Sequence, residues 1–251
     1  LLYNQCRPYE MIPGDTDRVL QQWEKTLQEN FIKNKFLGTA KTYKKILDDF
    51  AKIKRNKIKK IKVGIVGEIY VKYSPLANNN LEDFLISEGC ETVMPSLLDF
   101  VLYCAINNVN DGKIYGFKNK GTFTFKLGYD IIYGKQKQMI KIIKEHGVFE
   151  PPHDFEHMRR ESDKYINQGV KMGEGWLIPA EMAALAASGT ENIICAQPFG
   201  CLPNHIVAKG MSRVIKESFP NANIVAIDYD PGATKVNQEN RIKLMLANAR
   251  R

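Results

Sequence analysis

Two cysteines near the end of the sequence are the side chains best placed to bind a metal or act as nucleophiles. Cys195 and Cys201 form a C-x5-C pair, and a predicted helix opens at Pro203 directly behind it. A helix N-terminus stabilises a thiolate, so we expect Cys201 to be a good ligand or nucleophile. Taken alone, the spacing is more typical of two small core residues than of a pair of ligands. It does not predict a zinc knuckle, which needs a tighter pair and a second pair elsewhere.

The other three cysteines differ in their surroundings. Cys6 opens the polar stretch Cys6-Arg7-Pro8-Tyr9-Glu10 and is a candidate third thiolate. Cys90 and Cys104 lie beside apolar residues at helical spacing, which is typical of core positions. Five thinly spread cysteines do not form the disulfide framework of a small secreted domain. We therefore expect reduced thiols and a cytoplasmic protein.

Carboxylates are predicted to lie near the thiols. Glu68 follows one predicted strand, and Asp228 and Asp230 follow another. Ligands of an open parallel sheet gather at the carboxyl ends of its strands, so these acids are candidates for orienting ligands or handling protons. Glu174 lies between two glycines before a tryptophan, which fits a tight packed turn as well as a loop over a site.

Two polar groups follow Cys201, and two further histidines form a separate pair. Asn204 and His205 lie in the first turn of the predicted helix, where a capping role is more common than direct metal ligation. His153 and His157 are four residues apart, but without an H-E-x-x-H motif they are more typical of an exposed helix start.

The elements that must position these residues alternate between strand and helix. Helical spacing predicts N-terminal helices over residues 16–58, and strands are predicted at 61–68, 91–94, 192–196 and 223–227. Such alternation predicts parallel β-α-β units, hence an α/β, Rossmann-like parallel sheet with flanking helices and extra N-terminal helices. We expect a helical region at 1–60 and an α/β domain at 61–251, with residues 107–125 as an irregular surface excursion.

Composition excludes several classes of protein. The chain has 251 residues, 44% of them hydrophobic and 25% charged, which is typical of a globular protein. It contains neither an apolar run of about 18 residues nor a recognisable secretory signal. The sequence does not begin with Met, so we expect a piece of a longer protein.

The positive charge is local. The net charge is +8, and the segment 52–62, with the sequence KIKRNKIKKIK, contains seven basic residues and no acidic one. A solvated helix end and linker is the simplest interpretation, and a phosphate-binding or partner-docking patch is the alternative. No aromatic residues interleave with the lysines, so nucleic-acid binding is not predicted. The usual glycine-rich nucleotide motifs and the G-x-S-x-G elbow are also missing from the sequence.

Several segments together resemble one protein family. They are Cys6–Glu10, Val63–Tyr70, Gly173–Leu177, Gln197–His205, Asp228–Ala233 and Asn237–Arg241. In these segments the chain resembles the acyl-CoA dehydratase activase-related proteins, specifically the portion similar to the iron–sulfur subunits of 2-hydroxyacyl-CoA dehydratases. The matches extend over nearly the whole chain.

The resemblance implies a redox role with a cluster. It implies a [4Fe–4S] cluster held by Cys6, Cys195 and Cys201, with Asn204 and His205 next to the cofactor, and a partner ATPase of the activator type that supplies electrons. An acyl-CoA substrate is implied, although no adenine or pantetheine site is recognisable in the sequence. The alternative is a non-catalytic α/β scaffold or interaction module whose cysteines are structural.

Overall fold

A computed structural model describes residues 1–33, 38–117, 121–230 and 232–250. Within these residues one sheet is formed, by the strands β1 Ile61–Gly67, β2 Cys90–Val93, β3 Asn192–Pro198 and β4 Asn223–Tyr229. All neighbouring strands are parallel, and their order across the sheet is β2-β1-β3-β4. This arrangement confirms the predicted α/β fold with a parallel sheet.

Helices surround the sheet. They are α1 Leu2–Cys6, α2 Asp15–Ile32, α3 Thr39–Ala51, α4 Ile69–Tyr73, α5 Leu81–Ser87, α6 Leu97–Ile114, α7 Thr122–His146, α8 Phe155–Ser162, α9 Leu177–Ala187, α10 Lys209–Ser218 and α11 Lys235–Ala249. A 3₁₀ turn covers Arg7–Tyr9, and a π-helix covers Asn204–Ala208 before α10. No helix in the described part of the chain has the length and apolar character needed to cross a membrane.

The sheet is buried on both faces, which explains why its central strands are rich in β-branched residues. Ile194 and Ala196 of β3 pack on one face with α5 and α11, whereas Ile193 and Cys195 pack on the other face with α9 and α10. Because successive strand residues point to opposite faces, alternate residues of β3 contribute to two different cores. Chemistry is therefore restricted to the ends of the strands.

The turn from β1 into α4 depends on one glycine. Gly67 has a φ of +126°, and a Cβ atom at this position would lie 2.0 Å from the carbonyl oxygen of Ala196 in β3. Only glycine allows this close approach of the two backbones. The next residue, Glu68, then caps α4, because its side chain accepts a hydrogen bond from the amide of Val71 at 2.7 Å.

The N-terminal helices form a separate hydrophobic core next to the edge strand β2. Cys6, Val19, Leu47 and Phe50 are buried together, and Ile143 of α7 joins the same cluster. Helix α3 packs on α7, and α1 lies beside β2, the edge strand. Residues 1–60 thus pack directly against the α/β portion of the chain.

The stretch predicted to be irregular is largely helical, so that prediction was wrong for residues 107–114 and 122–125; residues 118–120 lie outside the described chain. Asn107 accepts a hydrogen bond from the indole of Trp176 at 2.9 Å, and Asn110 donates one to Gln168 at 2.9 Å. These long-range bonds give the buried amides of α6 their partners. The asparagines therefore belong to a packed helix and not to a loop.

An ion pair is buried between α4 and α9. Lys72 Nζ lies 3.0 and 3.1 Å from the two carboxylate oxygens of Glu181, and both side chains are at most 2% exposed. Asp99, at the start of α6, is also buried, and it accepts hydrogen bonds from the side chain of Gln136 and the amide of Ser96. Burial raises the pKa of Glu181, and Lys72 opposes that effect.

Removal of one partner of this ion pair is expected to destabilise the protein strongly. Glu181→Leu leaves a buried ammonium group without its carboxylate, which lowers the free energy of unfolding by about 3–5 kcal/mol. The double variant Lys72→Met/Glu181→Leu replaces both charges with apolar groups and recovers most of that loss. Urea unfolding of the three proteins measures both effects, and a double variant as unstable as the single one would contradict this account.

Asp99 is expected to make stability depend on pH. Burial, and secondarily the charge of Glu181, raises the pKa of Asp99 to about 7, compared with about 3.9 in an unfolded chain. Between about pH 4 and pH 7 the folded state retains a proton that the unfolded state releases, so stability falls as the pH rises through this range. Unfolding measured at several pH values should show a shallower fall for Asp99→Asn. Identical slopes would exclude Asp99 as the source.

Candidate functional site

Cys195 and Cys201 meet at one side chain, the amide of Asn204. The Cys195 Sγ lies 3.7 Å from Asn204 Oδ1, and Asn204 Nδ2 lies 3.1 Å from the Cys201 Sγ. Asn204 is completely buried and begins the π-helix, whose wider turn follows the loop after β3. π-helical turns are often found at functional sites. The two thiols therefore contact the two ends of one amide group. They lie where the strands end at their carboxyl termini, which we call the carboxyl edge of the sheet.

The amide treats the two sulfur atoms differently. Its oxygen accepts a hydrogen bond from the Cys195 thiol, whereas its NH₂ group donates to the Cys201 sulfur. Burial, and secondarily the charge of Glu181, raises the pKa of Cys195, which keeps that thiol protonated. Cys201 is half-buried, and its sulfur accepts a hydrogen bond from Asn204 and does not donate to a buried oxygen in the way that Cys195 does. Cys201 is therefore the sulfur prepared to bind a metal or to react.

A polar network continues from these thiols to β4. Gln197 accepts from the Cys195 thiol at 3.8 Å and donates to Asp228 Oδ1 at 2.5 Å. His205 Nε2 lies 3.4 Å from the same Asp228 oxygen, and Lys209 Nζ lies 3.5 Å from Oδ2. Asp228 thus has three polar partners at the carboxyl edge of the sheet. It lies next to the thiols, as the sequence predicted for neighbouring strand ends.

The two candidate glutamates both bind the beginning of α4. Glu68 caps the helix through the amide of Val71, and Glu174 Oε1 accepts from the amide of Ile69 at 3.0 Å. Carboxylates at this position satisfy free helix N–H groups and favour the helix dipole. The Glu174 loop also reaches the thiol loop, since a Cβ at Gly173 would lie 2.9 Å from Pro203. In this structure, both acids stabilise the first turn of α4 beside the thiol loop.

Asp230 forms a local turn. Its Oδ1 accepts from the amide of Gly232 at 2.9 Å, an Asx turn after β4. The intervening residue, 231, lies outside the described residues.

Cys6 lies in a different part of the molecule. It is buried in the N-terminal core, and its thiol points to the carbonyl oxygen of Phe50 at 3.8 Å. Burial raises the pKa of Cys6 to about 11. Helix α1 lies beside β2, and two strand spacings of about 5 Å each separate β2 from β3. The fold therefore does not bring Cys6 to the edge where Cys195 and Cys201 meet.

The donor set at this edge is smaller than a complete cluster site. A [4Fe–4S] cubane is ordinarily held by four thiolates, and this edge has two. Across the described ranges, no group of three or more His, Cys, Asp or Glu side chains is arranged to hold a metal ion. The three-cysteine ligand set thus does not fit the described chain on its own, whereas the pair Cys195 and Cys201 does share one site.

Exposed apolar side chains lie close to Cys201 in the chain. Phe199, Leu202 and Ile206 are each more than 60% exposed, and the Phe199 ring meets the His205 imidazole edge-on at 6.4 Å between ring centres. Three large exposed apolar groups within eight residues differ from the single ones that are normal on a protein surface.

One residue of this region was missed from the sequence, and another was found without its role. Lys209 approaches Asp228 from the first turn of α10, whereas Gln197, part of the loop expected at the site, links Asp228 to Cys195. The buried Lys72–Glu181 pair behind Cys195 was also missed, although a lone glutamate in the apolar helix LIPAEMAALAA is a recognisable signal.

The paired histidines lie away from this edge. His153 and His157 contribute to the wall of a cavity between α8 and α9. Burial, and secondarily the nearby His157, lowers the pKa of His153. That cavity is not part of the thiol site.

Comparison of the chain with family models, with curated proteins and with solved structures finds no match in any of the three. A functional assignment therefore depends on the geometry of this edge and on the resemblance in sequence described above.

Alkylation with iodoacetamide is expected to separate the cysteines. Cys201 should react first in the folded protein and Cys104 more slowly, because burial raises the pKa of the latter thiol despite its exposure. Asn204→Ala removes the hydrogen bond to the Cys201 sulfur, which is worth about 1 kcal/mol, and should slow the alkylation of Cys201 about fivefold. Mass spectrometry follows both sites, and Cys104 provides the control for folding. An unchanged Cys201 rate in the Asn204→Ala variant would refute the role given to this amide.

Proposed function

We propose that this chain is an iron–sulfur component of the 2-hydroxyacyl-CoA dehydratase type, which receives electrons from an ATP-dependent activator. The observation that supports the proposal is the convergence of Cys195 and Cys201 on Asn204 at the carboxyl edge of the sheet. Thiolates are the ligands that iron–sulfur clusters require, and this edge is where α/β folds bind their ligands.

In this proposal Cys201 is the first ligand of a [4Fe–4S] cluster. Its sulfur is partly exposed and already receives a hydrogen bond from Asn204, and hydrogen bonds to cluster sulfurs raise the reduction potential. Cys195 would be the second ligand, and its thiol, which donates to Asn204 in this structure, would bind iron only as the thiolate. The remaining iron ligands come from outside this edge, because Cys6 lies in the N-terminal core.

The neighbouring groups have roles that follow from their contacts. Asp228, held by Gln197 and close to His205 and Lys209, balances the charge beside the thiols and is the proton-handling group nearest to them. Glu68 and Glu174 position the α4 end of the site. The exposed Phe199, Leu202 and Ile206 form the surface for the activator-type ATPase, and an acyl-CoA is the substrate class.

A non-catalytic scaffold is the second candidate. The burial of Cys6 and Cys195, each 1% exposed or less with its thiol directed to a protein oxygen, favours it, because these contacts are those of structural cysteines. This candidate predicts a stable protein that does not bind iron.

Anaerobic reconstitution with iron and sulfide distinguishes the two candidates. We expect uptake of iron and acid-labile sulfide, with absorption near 400 nm, and loss of both in Cys201→Ala. Cys104→Ala is the matched control, since that cysteine is exposed on α6 and does not take part in the hydrogen bonds around Asn204. Equal uptake by the two variants would refute the role of Cys201, and no specific uptake by the unaltered protein would favour the scaffold.

A further inference from the structure

The basic segment at the other end of β1 forms one wall of an open groove. Residues 54–60 form neither helix nor turn, and they are anchored to the N-terminal segment by two backbone hydrogen bonds. The Met11 amide donates to the Lys54 carbonyl at 2.9 Å, and the Asn56 amide donates to the Tyr9 carbonyl at 2.8 Å. The groove beside this segment has a volume of about 630 Å³. The opposite wall includes Val148 and Glu150.

Three cations of this segment line the groove. They are Arg55, Lys57 and Lys59, and the uncharged side chains of Asn56 and Ile58 lie between them along the chain and line the groove as well. A bound peptide in extended conformation places alternate side chains about 6.6–6.8 Å apart, so acidic groups at every second position can be shared among these cations. Lys57 and Lys59 are exposed and form no ion pair with any residue of the described chain. Their ammonium groups are thus available to a partner.

The groove also has an apolar component. Ile53, Ile58 and Val148 line it, and Ile58 and Val148 are 67% and 46% exposed. The Arg55 guanidinium is held over the Phe149 ring at 4.9 Å, which fixes its position at the groove. A partner that alternates acidic and apolar side chains would place its carboxylates against the lysines and its apolar groups against these residues.

Two carboxylates in the groove disfavour a nucleic acid. Glu150 forms an ion pair with Lys62 at 2.5 Å, and Glu91 accepts from the Tyr9 hydroxyl at 2.6 Å. A phosphate backbone carries a negative charge at every nucleotide and has no donor to offer these acids, whereas a peptide can place uncharged residues beside them. A peptide backbone has N–H groups that can bind carboxylates.

We propose that this groove binds an extended acidic peptide segment of a partner protein in which acidic and apolar residues alternate. The proposal is independent of the iron–sulfur function, because the groove lies near the amino end of β1 and the thiols lie at the carboxyl edge of the sheet. Ion pairs at a groove of this kind set specificity and association rate more than affinity.

Fluorescence anisotropy with labelled peptides tests the proposal on the full chain. The probe is an octapeptide that alternates Glu and Val, and the comparison ligands are a peptide of the same composition with its glutamates in one block and an eight-nucleotide oligothymidylate. We expect the alternating peptide to bind at least about tenfold more tightly than either, and its affinity to fall with salt.

A charge-matched pair of variants locates the binding. Lys57→Glu/Lys59→Glu should weaken the alternating peptide about tenfold or more. Lys44→Glu/Lys45→Glu makes the same change of charge at exposed positions of α3 and should leave binding unchanged. Equal loss in both variants, equal binding of the blocked peptide or the oligonucleotide, or no binding of the alternating peptide would each overturn the proposal.

Discussion

When helices cover both faces of a parallel sheet, only the residues at the two ends of its strands are open to ligands. The central strands β1 and β3 are buried on both sides, so their side chains are committed to packing. Each strand must also turn into a helix, and the first amides of that helix need acceptors. Glu68 and Glu174 supply acceptors for α4, and Gly67 allows β1 to approach β3 closely enough for the turn. The arrangement of the candidate site follows from these requirements.

Cys195 and Cys201 lie in different electrostatic surroundings. The buried pair Lys72–Glu181 lies behind Cys195, and its carboxylate contributes to the raised pKa of that thiol. Asn204 also treats the two cysteines differently. The Cys195 thiol donates to its amide oxygen, and the Cys201 sulfur accepts from its amide nitrogen. Two cysteines that are six residues apart thus have different chemistry. The difference arises from the burial of Cys195, from the nearby Glu181 carboxylate and from the fully buried Asn204 amide.

The two ends of β1 differ in chemical character. At the carboxyl end, Glu68 and the neighbouring loops combine acids, thiols and exposed apolar side chains. At the amino end, the segment before Ile61 is basic, and it is attached to the N-terminal residues by backbone hydrogen bonds. A strand of seven residues is about 23 Å long, so the two surfaces are separated by more than a Debye length at physiological salt. One partner can occupy each surface without direct electrostatic interference.

The sequence by itself determined the strands, their parallel direction and the loops that follow them, whereas their order across the sheet came from the structure. Hydrophobic period and β-branched runs are local properties, and they identified β1, β3 and β4 together with Cys201 and Asp228. Tertiary structure alone decided that Cys6 joins the N-terminal core, that Asn107 belongs to a helix and that Lys72 meets Glu181. Each of these outcomes depends on a partner more than 40 residues away in the chain. A local pattern contains no information about which distant group will satisfy a buried polar atom, and only the folded chain supplies that partner.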